Sequence, residues 1–405
     1  MNVKASYERI PAALYRQWWG ALLVGSAVVA ATTAVLLAVW PFRHAALWGA
    51  TGGITLAYVF GYLRYGLKYN RAAASERIIP HLGPANSLTV TRGILAAVLS
   101  GFLFVPEPHG PLAWLPAGLY LTIGVLDYLD GLLARSGGRE SILGSKMDMT
   151  YDALGTVVAI AVAVRYGQLP AVYLGIGLLY YVFHGHMYLR RIRNLPVHPL
   201  PPSRRRRFYA GCLFGFLAVA LAPPMQPPAT VLAGWLFAVP VAAGFVHDWL
   251  VAIGRADVAS PRYLRIRARM QSILFDRLPV ALRGFAVVAG LILLGRGLWG
   301  PATWSARITD VTMVAPLVPA STLVLVLVLS VASVGLGWMG RLGAVALLGV
   351  GCADILLASF DILNAAVLAG SISLLLLGTG ILSLNTADAE QILRHAGTPT
   401  SSSTE

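Results

Sequence analysis

Apolar residues run along this chain in long blocks, separated by short polar stretches that are mostly basic. The blocks are Trp18 to Trp40, Ala45 to Leu63, Leu88 to Val105, Pro111 to Leu126, Met149 to Val164 and Ala171 to Leu189. They continue with Tyr209 to Pro223, Ala229 to Val246, Leu278 to Trp299, Val311 to Val334, Leu342 to Ser359 and Ile362 to Leu384. A helix needs ~20 apolar residues to cross a bilayer, so the pattern predicts about twelve spans. The first block is longer than the ~7–15 residues of a signal-peptide core and reads as a retained span.

The polar stretches orient the chain. If successive spans alternate in direction, one side receives Lys4, Arg9 and Arg16, the group Arg64, Lys68, Arg71 and Arg77, and the group Arg135, Arg139 and Lys146. It also receives the arginines from Arg190 to Arg207 and from Arg255 to Arg283, whereas the other side receives only Arg43, Arg165, Arg296 and Arg307. Basic loops stay in the cytoplasm, which places the basic side there and the protein, by expectation, in the cell membrane as a multi-pass integral protein. From Arg262 to Leu282, arginines alternate with Ile266, Met270, Ile273 and Leu274 at helical spacing, the mark of an amphipathic helix lying on the cytoplasmic surface.

Composition agrees with this pattern. Of 405 residues, 57% are apolar and 12% charged, against about a quarter charged in soluble proteins. The formal charge of +14 follows from positive loops facing an anionic leaflet, so no nucleic-acid partner is expected. Cys212 and Cys352 are the only cysteines, which excludes a disulfide framework or a cysteine metal site.

The acidic residues are distributed quite differently. Five of the 17 fall between Asp127 and Asp152, and four of these are aspartates at the cytoplasmic ends of two successive spans. Charge near a bilayer is costly and suggests function. Asp127 and Asp130 are three apart and Asp148 and Asp152 four apart, so each pair shares a helix face. Gly137, Gly138 and Gly144 allow a tight turn between the two faces. Four such carboxylates cannot all stay ionised without cations. With no cysteine or suitably placed histidine, oxygen ligands select Mg²⁺ or Mn²⁺, and Mg²⁺ in turn implies a phosphate substrate. Ion pairing of these acids with Arg135, Arg139 and Lys146 is the simpler alternative at this point.

The residues between the acids carry a resemblance. Asp127-x2-Asp130-Gly131-x2-Ala134-Arg135-x8-Gly144-x3-Asp148-x3-Asp152 resembles the signature of the CDP-alcohol phosphatidyltransferases, and Asn86, Ser87, Leu88, Thr89 and Arg92 resemble that family's first-helix opening. The resemblance covers about residues 80–250 and implies a six-helix core and transfer of a substituted phosphate from a CDP-linked donor to an alcohol, with release of CMP. It implies two Mg²⁺ or Mn²⁺ ions on Asp127, Asp130, Asp148 and Asp152, with Asp152 also acting as general base. It also implies substrate binding by Asn86, Ser87, Thr89, Gly131, Ala134, Arg135 and Ser141, and a homodimer. The donor expected is CDP-diacylglycerol-like, and the membrane lipids are partners of the reaction.

The expected architecture is therefore an all-α polytopic membrane protein with a two-span region at 1–79, the six-helix core at 80–250 and an amphipathic linker at 251–277. A four-span region at 278–390 and a disordered tail at 391–405 complete it. The four-span region is similar to DoxX-like four-helix membrane proteins around Gly337 to Leu342 and Gly378 to Gly380, and Asp354 and Asp361 stand alone there in the sequence, so no chemistry is expected of it. His184 and His186 point to different helix faces, and His247 and Asp248 read as interfacial polar groups. Arg190, Arg191 and Arg193 suit a phosphorylated acceptor or the positive-inside bias equally. The alternative function is a non-enzymatic scaffold or transporter that keeps the fold. A transporter would be expected to show paired interrupted helices with polar midplane groups.

Overall fold

The computed structural model describes residues 10–72, 75, 77–137, 141–200, 203–300, 304–310 and 319–384, with the backbone alone at 134–137, 309 and 310. The described residues are helical, with no strand among them. The helices are α1 (Ala12–Val39), α2 (Phe42–Gly66), α3 (Gly83–Ser100), α4 (Leu115–Gly137), α5 (Ile142–Arg165), α6 (Leu174–Ile192) and α7 (Arg204–Ala220). They continue as α8 (Ala229–Ala252), α9 (Pro261–Gln271), α10 (Leu278–Trp299), α11 (Trp304–Asp310), α12 (Ala320–Leu336), α13 (Gly340–Ala358) and α14 (Ile362–Leu377). Each of the twelve apolar blocks coincides with a helix, although the first residues of the block at Val311 lie outside the described residues. Among the described residues, eight helical stretches are long and apolar enough to cross a membrane, one of them running through α9 and α10, while α12 and α14 are shorter apolar helices. The protein is an all-α polytopic membrane protein.

The chain divides into two compact units, residues 1–181 with 217–223, and residues 182–216 with 224–405. In the first unit α3 is the inner helix, packed against α2, α4 and α5, and α1 packs on α2. Small residues let these backbones approach without a hydrophobic drive between helices. A Cβ on Gly93 would run into Val59 and Tyr151, and one on Gly101 would run into the fully buried Trp48.

In the second unit α10, α12, α13 and α14 pack around Leu293, Leu327, Leu347 and Val367. The buried Arg283 guanidinium donates to the carbonyls of Val334 (3.1 Å), Gly335, Thr379 (3.3 Å) and Leu382 (2.8 Å), which ties the end of α12 to the segment after α14. Helix α12 stops at Gly337, whose φ of 65° is the left-handed conformation that glycine adopts without strain. The stretch read as an amphipathic helix is helical, and α9 continues through a π-helical turn at Ser272–Arg277 directly into α10. One sequence expectation changes here, since Asp354 and Asp361 do not stand alone. Arg296 pairs with both, and Asp354 also accepts from Trp304 Nε1 (2.7 Å) and Asn364 Nδ2 (2.8 Å). An acid 1% exposed inside a helical bundle is held there by these donors, as burial requires.

Candidate active site

The four aspartates of the sequence motif meet in the first unit. Asp127 and Asp130 lie on α4, and Asp148 and Asp152 lie on the first turns of α5. That helix begins where Ser141 caps it, its Oγ accepting from Gly144 N at 2.9 Å, and a serine cap satisfies an otherwise unpaired N–H. Oxygens of Asp127, Asp148 and Asp152 all lie within 4.8 Å of one another. Their side chains are 48%, 45% and 48% exposed, so the cluster is open to a ligand. Asp130 is different. It is buried and accepts from Arg92 and, at 3.1 Å, from Thr89 Oγ1.

Arg92 of α3 sits at the centre. Its Nη1 lies 2.8 Å from Asp127 Oδ1, 2.8 Å from Asp130 Oδ2 and 2.7 Å from Asp148 Oδ1, and its Nη2 pairs with Asp152. One guanidinium, 1% exposed, thus touches all four carboxylates. It neutralises one of their four charges, and the remainder draws further cations to this membrane face. The donor set is all carboxylate oxygen, half exposed and carrying excess negative charge, which fits a hard divalent ion. The expected simple pairing of these acids with Lys146 is not what forms, since Lys146 Nζ lies over the Tyr69 ring at 3.6 Å. Arg135 and Ala134 have side chains outside the described residues, as has Arg139.

Asn86, Thr89 and Arg92 recur every three residues on α3, so they share the face that α4 and α5 cover. Asn86 is buried and its Nδ2 donates to Ser141 Oγ (3.1 Å) and Asn70 Oδ1 (3.3 Å). Asn70 in turn donates from Nδ2 to the carbonyls of Ile79 and His81, each at 2.9 Å. Gly144 is required at this point, because a Cβ there would strike Asn86 Oδ1 and Ser141 Oγ. Ser87 is exposed and its hydroxyl returns to Gly83 O at 2.8 Å. The structure therefore brings Thr89 onto Asp130, joins Asn86 to Ser141 at the start of α5, and leaves Ser87 on the outer side of α3. Sequence reasoning named Arg92 without giving it a role, although its helical phase with Asn86 and Thr89 signals one. It missed Asn70, which lies outside any periodic run and carried no signal.

The second unit joins Arg206 to Asp248 (2.6 Å), His247 Nδ1 to Asp248 Oδ1 (3.2 Å), and His247 Nε2 to the Tyr263 hydroxyl (2.7 Å). His186 Nδ1 accepts from Trp249 Nε1 at 2.6 Å. These contacts give His186, His247 and Asp248 partners within the protein.

Residues 83–246 match the family model for CDP-alcohol phosphatidyltransferase. The matched stretch holds Arg92 and all four aspartates, and it is a CDP-alcohol phosphatidyltransferase domain. That family is one of divalent-metal-dependent membrane transferases of phospholipid synthesis, which use CDP-alcohol and alcohol substrates. Neither a curated protein nor a solved structure matches this chain.

Proposed function

We propose that this protein transfers a phosphatidyl group from a CDP-diacylglycerol-like donor to an alcohol and releases CMP at the cytoplasmic face of the cell membrane. The observation that carries the reading is the convergence of Asp127, Asp148 and Asp152 oxygens within 4.8 Å in a stretch that matches this family. Asp127, Asp130, Asp148 and Asp152 are the residues to hold two Mg²⁺ or Mn²⁺ ions. Bound there, the ions would polarise the attacked phosphorus and neutralise the departing CMP.

The chain's own groups supply the remainder. Asp152 takes the proton from the acceptor hydroxyl as its oxygen forms the new bond to phosphorus and the bond from phosphorus to the CMP oxygen breaks. The Asp152 carboxylate is half exposed, so a bound hydroxyl can reach it. Arg92, itself buried, holds the four carboxylates in place. Arg135 provides a fixed cation for the diphosphate, Gly131 lets the backbone approach the nucleotide, and Asn86, Thr89 and Ser141 form the cytidine side of the site, with Ala134 beside Arg135 also binding substrate; Ser87, on the outer side of α3, is left out of it. Basic loops on this face, among them Arg64 and Lys68, support the cytoplasmic assignment.

The test is to incubate the purified protein with labelled CDP-diacylglycerol and a panel of alcohols, and to identify the lipid product by mass spectrometry. A new phospholipid with one of the alcohols is the expected result. Absence of CMP release with every alcohol in the presence of Mg²⁺ and Mn²⁺ would overturn the reading.

A further inference from the structure

Helices α1 and α2 precede the matched domain and run antiparallel through a tight link at Trp40 and Pro41. Between them lies an open groove of about 620 Å³, within the ~300–1,000 Å³ common for small-molecule sites. Leu22, Val29 and Thr33 of α1 and Gly49, Gly53 and Leu56 of α2 are among its lining. The groove reaches from Leu22 to Leu37 along α1, a rise of ~22 Å, which exceeds one leaflet of a ~30 Å hydrocarbon core. Only Ser26 and Thr33 bring a polar side chain to its walls, and the Thr33 hydroxyl is spent on Val29 O at 2.7 Å.

The two lining faces do not end with the groove. Stepping back along α1 by helical spacing, Leu22 is followed by Trp18 and Tyr15. Stepping forward along α2, Ala57 is followed by Gly61 and Arg64. There the Arg64 guanidinium lies over the Tyr15 ring at 4.2 Å and the Trp18 ring at 5.8 Å, and Trp18 is fixed by its Nε1 donating to Phe60 O at 3.0 Å. Arg64 is exposed and makes no ion pair among the described residues. No acidic residue occurs anywhere between Glu8 and Glu76, while Arg16, Arg43, Arg64, Lys68 and Arg71 all do. This end of α2 lies at the membrane face of the carboxylate cluster, because Tyr62 Oη donates to Lys146 O at 3.4 Å.

We infer that the groove is a binding site for one anionic glycerophospholipid, with an acyl chain along α1 and α2 and the phosphate on Arg64. The groove is apolar over the depth of a leaflet and ends in a positioned cation at the headgroup level. A second copy of the chain is the poorer occupant. Its own α1 and α2 carry no acid to meet Arg64 and Lys68, so pairing through this face would set cation against cation. A zwitterionic headgroup brings an ammonium to the same cations, whereas an anionic headgroup gains about fivefold in affinity per basic side chain, the equivalent of ~1 kcal/mol. The site is independent of the transfer reaction proposed above and needs only that the helices cross the membrane.

Gly53 supplies a direct test, because it lines the groove and a Cβ there meets nothing within 4 Å, so a larger side chain starts into the groove. Full-length protein in detergent would be loaded with dioleoyl-phosphatidylglycerol or dioleoyl-phosphatidylcholine and the retained lipid counted by native mass spectrometry. The wild type should retain one phosphatidylglycerol with at least ~fivefold preference over phosphatidylcholine. Arg64→Gln should bring that preference close to parity, and Gly53→Phe should reduce retention of both lipids. Unchanged retention and preference in Arg64→Gln would overturn the proposal, and this exposed position decides the matter even if Gly53→Phe fails to fold. A change of oligomeric state in Gly53→Phe with lipid retention intact would assign the groove to a second copy and overturn it equally.

Discussion

Replacing Arg92 by glutamine removes the one cation that touches all four carboxylates while keeping a side chain of similar reach. In the metal-free protein the aspartates then face one another uncompensated. Deleting one partner of a buried ion pair costs ~3–5 kcal/mol. Water shares the load here, because Asp127, Asp148 and Asp152 are close to half exposed and only Asp130 is buried, so the lower end, ~3 kcal/mol, is expected. For a unit of this size that corresponds to a fall of roughly 6–12 °C in unfolding temperature. A divalent ion takes over the compensation, and at a hundred times its dissociation constant it returns ~2.7 kcal/mol. Scanning fluorimetry in detergent, in EDTA and across a Mg²⁺ titration, reads both effects. Arg92→Gln should be markedly less stable than wild type in EDTA and should gain more from Mg²⁺, since in the wild type the ion joins a cluster that is already partly neutralised. Equal stability in EDTA, or equal gains from Mg²⁺, would refute the idea that Arg92 is the resident counter-ion.

Asp152→Asn keeps an oxygen toward the ions but cannot accept a proton, so turnover should fall at least ~100-fold with donor binding by calorimetry largely retained. Near-normal turnover would remove Asp152 as the base. Asp361 caps α14, accepting from Asn364 N at 2.9 Å and pairing with Arg296, and Asp361→Ala should cost ~1 kcal/mol in thermal stability. Partial burial pulls the Asp361 pKa up, but the Asn364 backbone N–H and the Arg296 cation outweigh it and hold the carboxyl below the ordinary carboxylate range. Its contribution to stability is therefore present above the unfolded value of ~3.9 and is lost as pH falls through the lower folded value. The gap between wild type and Asp361→Ala should close at that acid end. In a background lacking Cys212 and Cys352, a cysteine at Ser145 should react with an impermeant maleimide from the cytoplasmic side and one at His109 from the outside. The reverse pattern would invert the topology.

Hydropathy located every described span, because a run of ~20 apolar residues has few other destinations. Its boundaries failed where function intrudes. Helix α3 begins at Gly83, five residues before its apolar block, since the polar Asn86 and Ser87 lie within its first turns. The aspartate pairs were legible from their three- and four-residue spacing, which fixes a helix face before any tertiary contact is known. Arg92 lies 38 residues from Asp130 and 56 from Asp148, and Arg296 lies 58 from Asp354, so the pairings that organise both clusters exist only after the helices pack. The continuity of α9 with α10 was hidden for a related reason. The arginines between Arg262 and Arg283 break the apolar pattern without breaking the helix.

The most direct test of the central claim is CMP release by the purified protein from CDP-diacylglycerol and an accepting alcohol, measured in excess EDTA and after addition of Mg²⁺ or Mn²⁺. The expected result is no release in EDTA and recovery with either ion, with Asp127→Asn inactive under both conditions. Full release in excess EDTA, or a fully active Asp127→Asn, would contradict a transferase that works through this carboxylate cluster.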